Sequence, residues 1–370
     1  MTLSFKNLFF GIGTLFLFFA FLILAKTILI PLAFALLLSF ILYPLATRYE
    51  LWGMNALFAA FLSIFTMLII IAGGVFLFST QIIDLSRDFT DIQDKILIVF
   101  ADITLFANKN LNFLPTIEKG ELLERIKKWL TESSGSLVQQ TFSSTASVVT
   151  GLFLTIIYTF LILIYRGGII NAFSRFFPEN KRAQAYMMFS SVQKVGQQYL
   201  SGMLIIIVIL GTINSIGLLI IGIEHPFLFG FLAAVLAIIP YVGTTLGAAI
   251  PVVYALVTYD SAWMALAVMI MFWAVQVVES NFLTPKIVGG NLKVNALTAI
   301  LSIIIGASVW GVAGMILFLP FAAMLRVFCD EYDDLKAIAL LIGEQNNSEE
   351  VGRAKFLTRW RERIKGWFSK

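Results

Sequence analysis

Apolar residues in this chain fall in long blocks, near residues 8–25, 28–46, 55–78, 147–165, 199–222, 226–258, 262–278 and 294–328. A helix needs about 20 residues to cross a ~30 Å hydrocarbon layer. Backbone in lipid must satisfy its own hydrogen bonds, which a helix does within one segment. The blocks therefore predict an all-α polytopic membrane protein with about eight hydrophobic segments. Two blocks are too long for one crossing. Residues 226–258 would form a straight helix of roughly 50 Å at 1.5 Å per residue, and 294–328 is longer still. Each is broken near its middle, the first at Pro240, Gly243 and Gly247, the second at Gly306, Gly311 and Gly314. Each fits either a steeply tilted broken helix that crosses once or a re-entrant hairpin that returns to its own side.

The polar stretches divide the chain further. Residues 1–78 hold three N-terminal segments, 79–145 an extracytoplasmic amphipathic insertion, 146–328 the C-terminal segments with a broken-helix transport core, and 329–370 a cytoplasmic tail. In the insertion Leu85, Phe89, Ile92, Ile96, Val99, Ile103 and Phe106 recur at intervals of four and three, with aspartates off the stripe. A 3.5-residue period marks a helix-pairing seam. Two readings stand: the seam packs on a second helix at Leu122–Leu130, or it joins neighbouring protomers of a homo-oligomer. The Ser/Thr-rich run 133–147 reads as a connector. Pro31 and Pro44 read as end punctuation of the second segment. In the tail, Phe356, Trp360, Ile364 and Trp367 share a face flanked by Arg361 and Arg363, a basic amphipathic helix suited to the lipid headgroup layer. Its place after a membrane segment argues against nucleic acid as a partner.

Composition agrees with the pattern. Hydrophobic residues make up 59% of the chain and charged residues 13%, too little charge to cover a soluble domain. The single Cys329 excludes an intramolecular disulfide, and the single His225, read as a surface residue, excludes a multi-histidine centre. The acids Asp330, Glu331, Asp333 and Asp334 read as a solvated face, with Arg326 one turn away from Asp330. No phosphate-cradling Gly-Lys-Ser/Thr motif and no zinc-ligand spacing is present. The sequence calls for no cofactor, metal or enzymatic role. Basic residues cluster at Arg166, Arg175, Lys181, Arg182 and Lys194 and again in the tail, which makes both regions cytoplasmic by the positive-inside rule. Counting segments places the N-terminus inside as well. A second apolar block close behind the first argues against a cleavable signal peptide.

Candidate chemistry sits in the second half. Proline and glycine inside apolar sequence free backbone groups that water cannot reach, so such breaks point to a pathway or cavity. Pro240, Tyr241, Gly243, Thr244, Thr245, Gly247 and Pro251 form one break. Their small residues also suit close helix packing. Glu279, Asn281, Thr284, Pro285, Lys286 and Gly289 form the other. An ionisable group within a membrane segment suggests function. Glu279 is then a cation or proton site, with Asn281 and carbonyls freed by Pro285 as further oxygen ligands. The alternative makes Glu279 and Lys286 an ordinary pair at the interface, with Pro285 interrupting the helix between them.

The run from Ile238 through Pro240-Tyr241-Val242-Gly243 to Pro251 resembles the signature of the autoinducer-2 exporter family of bacterial and archaeal membrane proteins. So do Glu279, Asn281, Pro285, Lys286 and Gly289, then Gly306, Gly311, Gly314 and Pro320. Earlier landmarks agree: Pro31, Pro44, Phe176-Phe177-Pro178, Gly196, Tyr199 and Gly202. Two departures remove titratable groups: Asn295-Ala296 stands where such proteins commonly place His-Pro, and Arg166-Gly167-Gly168 where an acid often closes the fourth segment. The resemblance implies about eight hydrophobic segments, an oligomer in the bacterial inner membrane, and export of small molecules such as autoinducer-2. It also admits sodium or lithium/proton antiporters. The expected function is thus a transporter exporting a small polar solute. Antiport of a monovalent cation against protons at Glu279 is the alternative, and a non-transporting scaffold a third reading.

Overall fold

The computed structural model describes residues 5–87, 119–239, 242–259, 261–289, 294–332 and 335–343, with side chains described at 9–85 and from 147 onward within those ranges. The described helices are α1 (Phe5–Leu24), α2 (Lys26–Leu51), α3 (Ala56–Arg87), α4 (Lys119–Ser174), α5 (Arg182–Ile221), α6 (Pro226–Leu236), α7 (Val242–Thr258), α8 (Ala262–Val278), α9 (Ala296–Trp310), α10 (Val312–Asp330) and α11 (Lys336–Ile342). Six stretches are long and apolar enough to cross a membrane: Lys26–Leu51, Ala56–Leu85, Ser147–Ser174, Glu179–Ile221, Ala262–Val288 and Val312–Asp330. Large apolar side chains face outward along them and along α1, with Phe16 72% and Ile220 79% exposed. Water would penalise such exposure by about 25 cal/mol per Å²; hydrocarbon does not.

Both long blocks turn back on themselves. In the first, a Cβ at Gly243 would stand 1.6 Å from the Leu236 carbonyl oxygen, and one at Gly247 2.9 Å from Ala233 Cα. Farther along, the Phe229 and Tyr254 rings lie 4.8 Å apart. These pairs climb one arm while descending the other, so α6 and α7 form an antiparallel hairpin. Its arms of 11 and 17 residues are about 16 and 25 Å long, each shorter than the ~30 Å layer. In the second, Gly311 takes φ +62° between α9 and α10, a backbone that side-chain-bearing residues rarely adopt.

The core among the described residues falls into four clusters. Leu42 and Ala46 of α2, Ala60 and Ile64 of α3 and Leu163 of α4 form one cluster. Leu218 of α5, Phe229 and Ala233 of the first hairpin and Val268 and Phe272 of α8 form another. Ala33 and Leu37 of α2 pack with Leu317 and Met324 of α10 in a third, and Tyr199, Ile206 and Leu210 of α5 pack with Ala234 and Val288 in a fourth. Arg166 adds an ion pair to Glu50 and lies over the Tyr43 ring, 5.1 Å from its centroid.

The hairpin's outer end is fastened by polar groups. The Tyr254 hydroxyl donates to Glu224 Oε2 at 3.2 Å, and the Tyr259 hydroxyl donates to the Gly222 carbonyl at 3.1 Å while accepting from the Glu224 amide at 2.9 Å. Burial pushes the Tyr259 hydroxyl above its ordinary pKa, which keeps it a donor. Gln81 of α3 accepts from the Leu228 amide at 3.0 Å, satisfying an N–H that α6 cannot satisfy internally.

Four local expectations need correction. Pro31 and Pro44 lie inside α2 rather than at its ends; packed membrane helices absorb proline because neighbouring groups re-satisfy the freed backbone. The 133–147 run is no connector but part of the continuous α4, where the flanking helix outweighs the weak propensity of Ser and Thr. Pro285 does not end its helix: the chain widens into π-turns at Glu279–Leu283 and Pro285–Gly289. Arg326 lies against Gly343, and no ion pair joins it to Asp330 among the described residues.

Candidate functional site

A small cavity of about 20 Å³ lies where α5, the first hairpin and α8 meet. Asn214, Thr244, Gln276 and Glu279 are its polar lining, among Ala233, Ala234, Ala237 and Phe272. The volume holds one water molecule or one small ion. Each polar group reaches it for a local reason. Glu279 stands at the step from α8 into the first π-turn, the kind of wide turn often found at functional positions. Its Oε1 accepts from the Thr284 hydroxyl at 3.4 Å, and Gln276 lines the cavity beside it. Thr244 sits in the first turn of α7, directly after the break.

Asn214 comes from α5, whose small residues let α6 approach closely. A Cβ at Gly230 would meet Ser215 Oγ at 2.3 Å, and one at Gly211 would meet the Phe231 ring at 2.6 Å. That contact turns the 211–218 face of α5 toward the hairpin. Asn214 is 4% exposed, and its Oδ1 has no hydrogen-bond partner. At the end of α6 the Ile238 amide donates to Val235 rather than to Ala234, so the Ala234 carbonyl loses the partner an unbroken helix would give it.

The other sequence-selected residues are placed differently. Gly243, Gly247 and Pro251 are buried, the two glycines in the contact between hairpin arms. Thr245 is exposed and off the cavity lining. Asn281 is exposed, its amide donating to the Val277 carbonyl at 2.8 Å and to Ser280 Oγ at 3.3 Å. Pro285 and Lys286 are exposed, and no ion pair joins Lys286 to Glu279 among the described residues. Gly289 ends the second π-turn. Pro240 and Tyr241 lie outside the described residues, as do Phe89, Ile92, Ile96, Val99, Ile103 and Phe106 of the seam and Trp360, Arg361, Arg363 and Trp367 of the tail. Leu85, the first seam residue, packs against the α5–α8 cluster of its own chain.

Sequence reasoning missed Asn214 and Gln276. A lone amide in the apolar run of α5 was the available signal for the first; Gln276, one turn before Glu279, was the signal for the second. Two larger cavities lie elsewhere. One of about 750 Å³ runs between α2 and α4 beside Lys26, Pro31 and Thr155. The other, about 400 Å³, is bounded by α2, α4 and α5, with Ser39, Tyr43, Arg166 and Gln193 among mostly apolar walls. Among the described residues no group of three or more His, Cys, Asp or Glu side chains is placed to hold a metal.

A helical bundle spanning the bilayer, with two returning hairpins and a polar cavity at the break of the first, is the architecture of a multi-pass membrane transporter. The chain belongs to the AI-2E transporter family, whose model matches residues 12–334. It is 33% identical over 213 residues to YueF of Bacillus subtilis, whose name assigns it to transport provisionally; the match covers 56% of this chain and 57% of that one. It is 25% identical over 279 residues to sll0063 of Synechocystis, similarly named, across 72% and 68% of the two chains. Over 126 residues it is 29% identical to the AI-2 transport protein TqsA of Escherichia coli, across 34% and 36%. The chain spans about half the length of the Bacillus subtilis relatives it matches.

Proposed function

We propose that this chain is a secondary transporter that exchanges a monovalent cation for protons, with Glu279 as the group occupied and released in each cycle. The observation that carries the reading is the 20 Å³ cavity in which Glu279 meets Asn214, Thr244 and Gln276 at a helix break. A carboxylate there is costly unless a proton or cation neutralises it, and the space suits an ion rather than an organic molecule. The hairpin break and the π-turns supply backbone that can rearrange as the site changes partner. Basic clusters at 166–194 and in the tail support cytoplasmic termini in a bacterial inner membrane.

Export of a small polar organic solute is the second reading. It draws on the name of the Escherichia coli relative and on the 400 Å³ cavity with Ser39, Tyr43, Arg166 and Gln193, a volume in the ordinary range for small-molecule sites. A homo-oligomer joined through the 85–106 seam, and a scaffold role for that seam, rest on the sequence pattern alone.

Purified protein in liposomes with a pH-sensitive dye inside tests the leading reading. Added sodium or lithium should change the internal pH, and Glu279→Gln should abolish the response. Wild-type vesicles that carry labelled organic solutes with no cation-linked pH change would replace antiport by solute export.

A further inference from the structure

We propose that Asn214 is a direct ligand of the transported cation, its Oδ1 sharing a monovalent ion with the Glu279 carboxylate and the Ala234 carbonyl. The inference rests on the Glu279 reading and adds to it the residue that distinguishes a metal cation from a proton.

Other buried hydroxyls of the membrane helices are spent locally. Ser63 donates to Ala59, Thr159 to Thr155, Ser215 to Gly211 and Ser302 to Thr298, each to the carbonyl one turn back. Asn214 does not follow them. Its amide oxygen is a buried acceptor with no protein donor, where such groups are nearly always satisfied. A side chain held there by the tight α5–α6 approach needs a positive or hydrogen-bearing occupant in the cavity it lines.

The surroundings select the charge. The C-terminal end of α6 reaches the cavity through Ala234 and Ala237, and a helix C-terminus carries partial negative charge. Half-helix C-terminal ends and unwound carbonyls are how broken membrane helices hold monovalent cations. The ligand atoms available are oxygens from an amide, a carboxylate, a hydroxyl and a carbonyl, a hard set suited to alkali-type ions rather than to soft metals. One carboxylate neutralises one monovalent charge; a divalent ion would leave net charge in hydrocarbon. A dehydrated cation needs several oxygen ligands at once, and Asn214 is a side chain lining the cavity that can add one to those of Glu279.

The test uses the full-length protein in detergent, titrated with sodium chloride at constant ionic strength made up with choline chloride, and reads the sodium-dependent rise in unfolding temperature. Wild type should rise with sodium and not with choline. Asn214→Leu should weaken the apparent sodium affinity tenfold or more, while Asn214→Asp, which keeps the oxygen, should retain the response. Unfolding transitions without sodium report whether each variant is folded. Should Asn214→Leu not fold, Asn214→Val takes its place, with the same loss expected. Superimposable sodium curves for wild type and the folded apolar variant, with Glu279→Gln unresponsive, would overturn the Asn214 assignment in favour of a bridging water and leave Glu279 standing. A full response in Glu279→Gln would remove the Glu279 reading itself. A wild type unresponsive to sodium and lithium alike would overturn the inference.

Discussion

Gly306 and Gly314 face each other across the second hairpin so closely that a Cβ on Gly306 would stand 2.3 Å from the Gly314 carbonyl oxygen, and one on Gly314 1.9 Å from that of Gly306. No flexible side chain can yield there, because backbone is the neighbour on both sides. Small residues set helix spacing in membranes, and here they set it to the limit. Gly306→Ala or Gly314→Ala should force the arms apart and destabilise the protein by roughly 2–4 kcal/mol, the scale of core overpacking and beyond. Gly11→Ala, with open space around its Cβ position, is the matched control. Thermal unfolding in detergent should separate the two classes.

The first hairpin makes a sharper prediction. Gly243 has no room for any side chain against Leu236, whereas Thr245, two residues on, is exposed. Gly243→Ala should therefore pull α6 from α7, displace Thr244 and Ala237 from the cavity and lose transport even where protein still accumulates in the membrane. Thr245→Ala should keep flux within about twofold, since the side chain is exposed and does not line the cavity. Rates in liposomes normalised to folded protein check both.

Much of this was legible in the chain because lipid imposes few solutions. The helical class followed from the apolar blocks, and the excess length of 226–258 and 294–328 exposed two segments that had to break or return. Which of the two they do was not legible, since it depends on glycine-to-backbone contacts between arms. Glu279 stood out as a lone acid in an apolar run. Asn214 did not, because its partners come from α6, α7 and α8 and its face is fixed by how Gly211 and Gly230 let helices touch. Asn281 was chosen for its nearness in sequence to Glu279, yet its amide folds back on Val277. Pro31 and Pro44 misled for a related reason: rules learned from soluble helices overstate what proline does where neighbours repair the backbone.

Arg166 has an ion partner in Glu50 from α2 and an aromatic one in Tyr43. Both members of the pair are about three-quarters covered, with side-chain exposures of 23% and 25%. Removing one member should cost more than the pair is worth, because the other charge stays largely covered and alone. Arg166→Ala should destabilise by about 2–3 kcal/mol, and adding Glu50→Ala should recover part of the loss. A double-mutant cycle on unfolding temperature measures that coupling.

Asn295 holds both the start of α9 and the end of α11. Its Oδ1 accepts from the Thr298 amide at 2.8 Å and caps α9. Its Nδ2 donates to the Leu341 and Gly343 carbonyls at 2.7 and 3.1 Å, and its backbone amide donates to Ile342 at 3.0 Å. One side chain thus joins the start of the second hairpin to the end of α11, 46 residues on. Asn295→Asp keeps the cap acceptor and removes the donors; Asn295→Ala removes both. The Asp variant should therefore loosen α11 while leaving α9 capped. The Ala variant should loosen α11 and also cost a further ~1 kcal/mol for the lost cap. Limited proteolysis after residue 335 reads the first effect, with faster cleavage expected in both variants, and thermal unfolding reads the second. Equal cleavage rates in wild type and Asn295→Asp would show that the Leu341 and Gly343 bonds do not hold the segment.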